Sequence, residues 1–141
     1  MDQTTLTHLE FIQSNISRMN QCSFMIKGWT ITITSALLAL YAASKGNSQT
    51  GNTVFIFVAI VPTIIFWYLD SYYLQQERKF RGIYSAVVNP TDGIVIEKFA
   101  LPLHKFKGRK YAIFNVMFSR TEALLYLPVI FGLLIAGFCL K

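Results

Sequence analysis

Thr53-Val54-Phe55-Ile56-Phe57-Val58-Ala59-Ile60-Val61-Pro62-Thr63-Ile64-Ile65-Phe66-Trp67-Tyr68-Leu69 runs for seventeen residues without a charge. That is the short end of the roughly 17 to 25 apolar residues that carry a helix through a hydrocarbon core. Two more such runs flank it, at 28–44 and 123–140. One buried helix of a soluble protein would explain a single run, but not three in 141 residues. The chain is 53% hydrophobic and only 14% charged, with a mean hydropathy of +0.43, outside the usual range of soluble domains. The linker 45–52 is too short for a domain, so the first two runs should form an antiparallel helical hairpin.

The cations give a direction. Lys and Arg beside a span resist translocation and stay on the cytoplasmic side. Arg18 and Lys27 precede the first run, and Arg78, Lys79, Arg81, Lys98, Lys105, Lys107, Arg109, Lys110 and Arg120 lie between the second and third. Only Lys45 and Lys141 fall on the other side, a split of eleven to two. Three crossings then place the N-terminus inside and the C-terminus outside a bacterial inner membrane. The net charge of +6 becomes an inner-surface charge suited to anionic lipid headgroups rather than to nucleic acid. Met1 to Thr7 lacks the basic region of a cleavable signal, so the first span is expected to remain as an anchor. Cys22 and Cys139 would lie on opposite sides of the bilayer, and a disulfide within one chain is not expected.

The expected architecture is therefore an all-α membrane protein with the first two helices extended into the cytoplasm. Residues 1–27 form a cytoplasmic amphipathic helix, 28–44 the first span, 45–52 an outer turn and 53–69 the second span. Residues 70–118 form a cytoplasmic helix extension and basic loop, and 119–140 the third span. In the first segment Leu6, Leu9, Ile12, Ile16, Met19 and Ile26 recur near helical spacing, with Thr5 as the N-cap and Gly28 as the one hinge. The second helix should continue to about Val87, before the turn signal Asn89-Pro90-Thr91-Asp92-Gly93. Residues 94–99 and 111–118 read as a short β-hairpin around Gly108 or as irregular loop. Ser119-Arg120-Thr121-Glu122 fits a capping box that starts the third helix at Ser119. Trp29, Phe66, Trp67, Tyr68, Tyr72 and Tyr73 read as an aromatic belt at the inner interface.

No residue set points to catalysis. His8 and His104 lack metal-ligand neighbours, and the phosphate-loop, serine-hydrolase and zinc-protease motifs are absent, so no enzyme, cofactor or metal is expected. Charge register offers more. Lys27 and Asp70 stand at the inner ends of the first two spans, and Arg18 and Glu77 face each other about 10 to 13 Å deeper. The four form either a latch that rearranges or ion pairs that set hairpin register. Thr30 and Thr34 serve helix packing or, in an oligomer, a water-facing stripe. Lys105, Lys107, Arg109 and Lys110, beside His104, Phe106 and Tyr111, would grip a phosphate-bearing ligand or anionic lipid.

Phe11-Ile12-Gln13, Arg18-Met19-Asn20, Lys27-Gly28-Trp29, the run Phe66-Trp67-Tyr68-Leu69-Asp70-Ser71-Tyr72-Tyr73-Leu74-Gln75-Gln76-Glu77-Arg78, and Phe118-Ser119-Arg120-Thr121 resemble a family of small, poorly characterised bacterial multi-pass membrane proteins. The family in turn resembles transmembrane effectors of antiphage defence systems. The resemblance implies a homo-oligomer that perturbs or permeabilises the inner membrane when a cytoplasmic sensor protein or nucleotide signal triggers it. The alternative is a non-conducting anchor or scaffold subunit that recruits a cytoplasmic partner. Inward-facing Thr30 and Thr34 would favour that alternative.

Overall fold

The computed structural model describes residues 2–46, 51–90 and 95–139. Among these every regular element is helical: α1 (Gln3–Ser44), α2 (Val54–Val88), single 3-10 turns at Leu103–Lys105 and Arg109–Tyr111, α3 (Ile113–Met117) and α4 (Arg120–Cys139). Three of them, α1, α2 and α4, are long and apolar enough to cross a membrane. The predicted hairpin is not formed among the described residues. Residues 95–97 carry no regular structure, Phe99 sits at φ 61°, and 113–117 coil into α3, which buries Val116 completely. A lone two-stranded ribbon is marginal in water, whereas one helical turn buries Val116 directly. Ile94 and Thr91 to Gly93 of the expected turn, and residues 47–50 of the outer turn, lie outside the described residues.

The chain divides into two compact units, each with its own core. The first comprises Met1–Phe24 and Ser71–Val116. Ile12 and Ile16 of α1 pack with Phe80 and Ile83 of α2, and Phe106 joins them from the segment between α2 and α3. Gly82 makes that fit: a Cβ there would meet Phe106 Cδ1 at 2.7 Å and the Tyr111 hydroxyl at 2.8 Å. At the start of α1 the amides of Thr5 and Leu6 donate to the Asp2 carbonyl, at 3.0 and 3.2 Å. Thr5 is therefore inside the helix rather than its cap. The Asp2 carboxylate accepts from the Thr4 hydroxyl and from Lys98 at 3.1 Å, and these contacts hold it below the usual carboxylate range.

The second unit comprises Met25–Asp70 and Met117–Lys141. Its apolar core joins Tyr41 of α1, Ile56 and Ala59 of α2 and Leu133 of α4. Gly137 allows α4 to pass close to Phe57, whose ring would lie 2.8 Å from an added Cβ. Ser44 Oγ accepts the Asn52 amide at 2.7 Å, and Asn52 Oδ1 accepts the Val54 amide at 3.1 Å, capping α2. Helix α1 runs on through Gly28 without a break. Its β-branched threonines fit because Thr30 and Thr32 turn their hydroxyls onto the carbonyls of Ile26 and Gly28, both at 2.9 Å. Pro62 and Pro128 both sit within helices, as apolar spans tolerate.

Beside that apolar core the second unit buries polar groups, and it leaves much of its apolar surface exposed. Thr30, Thr34, Thr63, Asp70 and Glu122 are buried, while Ile31, Leu40, Val61, Ile65, Leu124, Ile135 and Phe138 are exposed. Only 22%, 33% and 22% of the most apolar windows of α1, α2 and α4 are buried. In water so much exposed apolar surface would drive association. In lipid it costs nothing, and it is the polar groups that must find one another.

Candidate functional site: a buried polar cluster and a basic loop

In the second unit a single ammonium ties three helices. Lys27 Nζ on α1 donates to Asp70 Oδ2 of α2 at 2.5 Å and to Glu122 Oε1 of α4 at 2.8 Å. Both carboxylates are buried, with side chains 0% and 1% exposed, and Lys27 is 23% exposed. Tyr126, one turn beyond Glu122, donates its hydroxyl to Asp70 Oδ2 at 2.8 Å. Trp67 stacks on the Tyr126 ring with centroids 6.0 Å apart, meets Phe118 edge-on at 5.4 Å, and donates its indole N–H to the Met117 carbonyl at 3.2 Å. Farther along the helices the Thr34 and Thr63 hydroxyls lie 3.4 Å apart, and Thr63 also donates to the Ala59 carbonyl at 2.8 Å.

With both acids ionised the cluster carries one negative charge more than Lys27 balances. Glu122 Oε2 is buried with no hydrogen-bond partner, an arrangement that costs free energy in a low-dielectric site. The contacts suit a clamp on helix register. Nothing in the cluster resembles a nucleophile with its base, and among the described residues no three His, Cys, Asp or Glu side chains converge as a metal site would.

Several sequence expectations change here. Lys27 and Asp70 do meet, but Glu77 does not take Arg18. It accepts from Arg81, one turn along its own helix, at 2.5 Å, and Arg18 is exposed. An i,i+4 partner needs no second element to be positioned, so the local pair wins. The third long helix starts where expected, with the Ser119 carbonyl accepting the Ala123 amide at 2.9 Å and α4 running from Arg120, but the reciprocal side-chain bonds of a capping box are not formed: Glu122 Oε1 faces Lys27 and Ser119 Oγ lies 3.4 Å from Thr121 Oγ1. Thr30 and Thr34, at 1% and 8% exposure, face protein rather than water. Trp67 is buried rather than part of the aromatic belt, while Trp29 and Tyr68 are each 55% exposed. Tyr126 and Thr63 have no role in the sequence reading, and Glu122 enters it only as a helix cap. The signal was there: a Glu and a Tyr four apart in an apolar helix share one face, and an acid in a span needs a partner.

The first unit presents the basic loop. Phe106, 8% exposed, plugs the loop into the core between α1 and α2. Its backbone is pinned by side chains. Gln75 Nε2 donates to the Tyr111 carbonyl at 2.6 Å, Asn115 Nδ2 to the Arg109 carbonyl at 2.7 Å, and Arg78 Nη1 more loosely to the Lys110 carbonyl at 3.4 Å. Gly108, at φ 123°, links the two 3-10 turns. Lys105, Lys107, Arg109 and Lys110 are all left exposed. Four exposed cations on a backbone held by three side-chain hydrogen bonds concentrate positive charge on this loop.

Comparison with protein-family models, curated proteins and solved structures finds no match for this chain.

Proposed function

We propose that this chain is a bacterial inner-membrane protein, N-terminus inside and C-terminus outside, whose three long helices form a non-conducting anchor that recruits a cytoplasmic partner and uses the cations of its basic loop for attachment to anionic lipid. The burial of Thr30 and Thr34 supports the anchor reading. A conduit needs polar groups facing water along a span, and the hydroxyls best placed for that are spent on Ile26 O and on Thr63. With Cys22 and Cys139 changed to Ser, Thr30→Cys and Thr34→Cys are expected to resist a membrane-impermeant thiol reagent in intact vesicles. Rapid modification at both would overturn the anchor reading.

The second reading is a homo-oligomeric effector that perturbs the membrane in antiphage defence in response to a cytoplasmic signal. One feature favours it: Gly132 is exposed on α4, and a Cβ there would meet nothing within 4 Å. A helix of a second copy can approach closely at such a position. Following membrane potential during phage challenge, with neighbouring genes present, tests it. Depolarisation lost in Gly132→Ile would support this reading, whereas constant potential in the wild type would remove it.

A further inference from the structure

On α4, Arg120, Ala123, Leu124, Leu127, Pro128 and Phe131 line one shallow groove of about 590 Å³. Their spacing is i, i+3, i+4, i+7, i+8, i+11, a single helical stripe, and the buried residues Glu122, Tyr126, Leu133 and Gly137 lie on the other side of the helix. Arg120 at one end is exposed and makes no ion pair among the described residues. The hydroxyls of Ser119 and Thr121 flank it, 3.4 Å apart. From Arg120 to Phe131 the helix rises about 16 Å at 1.5 Å per residue, and half of a roughly 30 Å hydrocarbon core is about 15 Å. The stripe is one leaflet deep, with a lone cation at the headgroup end.

We propose that this groove is a binding site for an anionic phospholipid, its phosphate on Arg120 and the neighbouring hydroxyls and one acyl chain along Leu124, Leu127 and Phe131. The match is of charge and of length: an amphiphile with one negative end and a tail of one leaflet satisfies an unpaired guanidinium and an exposed apolar stripe together. A bare protein helix would cover the stripe but leave Arg120 without an anion. The site is built from residues of the second unit alone, and it rests on the reading that α4 lies in lipid.

The test is native mass spectrometry of the full chain released from detergent, titrated with phosphatidylglycerol and with phosphatidylcholine. The wild type should retain phosphatidylglycerol preferentially. Arg120→Gln should lower that retention about fivefold, the factor expected for one cation near an anionic headgroup. Arg120→Lys should restore most of it, and Phe131→Ser should weaken both lipids. Changing Lys105, Lys107, Arg109 and Lys110 to Gln should leave the retained lipid in place. Equal retention of the two lipids, or unchanged retention in Arg120→Gln, would overturn the site. So would disulfide-linked dimers through Leu124→Cys, which would give the stripe to a second copy. In each of those cases the protein would still require detergent, whereas a monodisperse protein in plain buffer would remove the membrane reading itself.

Discussion

Lys27 Nζ donates to Glu122 Oε1 at 2.8 Å across 95 positions of sequence, while the other oxygen of the same carboxylate is buried without a partner. One ammonium is shared between two buried acids, so removing each member of the cluster should have a different consequence. Lys27→Met leaves both carboxylates buried without their cation and should be the most destabilising, by about 3 kcal/mol or more. Glu122→Ala leaves a cavity but keeps the Lys27 and Asp70 pair. Glu122→Gln preserves the acceptor for Lys27 and removes the excess charge, and should be the mildest. Thermal unfolding of the full chain in detergent reads the order, and a Lys27→Met protein as stable as the wild type would mean that the cluster is solvated.

Phe106 and Gly82 are fitted to each other. Gly82→Ala must push Phe106 or the Tyr111 hydroxyl from contacts of 2.7 and 2.8 Å, at about 1 to 3 kcal/mol for overpacking. Phe106→Ala removes the plug, at about 3 to 5 kcal/mol. Both should speed tryptic cleavage at Lys105, Lys107, Arg109 and Lys110. The double variant should cost less than the sum, because the two residues touch. Additive effects would mean that they do not share a contact.

The exposed cations of the basic loop should give a salt-dependent response to lipid charge. An environment-sensitive dye on Ala112→Cys, an exposed position beside the loop cations, with both native cysteines changed to Ser, should shift to the blue in phosphatidylglycerol nanodiscs and not in phosphatidylcholine ones. Raising the ionic strength should reverse the shift, and neutralising the four cations should abolish it, at about 1 kcal/mol per cation. A signal indifferent to lipid charge would assign the loop to a protein partner instead.

The sequence was most legible where chemistry is cumulative. Seventeen or more apolar side chains in a row leave a helix as the economical way to bond the backbone, so the C-terminal ends of α1 and α4 and the N-terminal end of α2 lie within a residue of the apolar runs, while the extensions of α1 and α2 follow from helical spacing and the absence of breakers. The register of Lys27 against Asp70 followed from helical rise. Pairwise contacts were less legible, because each residue had a competing use. Glu77 had Arg81 one turn away, Glu122 could cap its own helix or cross to Lys27, and Thr30 and Thr34 could face water or protein. Residues 113–117 form a short apolar run with no period of its own, so neither strand nor helix can be told from it. Burial of Val116 against its own unit decides it for helix.

Three crossings with the N-terminus inside underlie the anchor, the lipid site and the role of the basic loop alike. In spheroplasts carrying Cys22→Ser, an impermeant maleimide should label Cys139, which is exposed at the end of α4, while a second variant with Cys139→Ser and Lys107→Cys should label only after lysis. Labelling of position 107 in intact spheroplasts, or of position 139 only after they are broken, would contradict that topology.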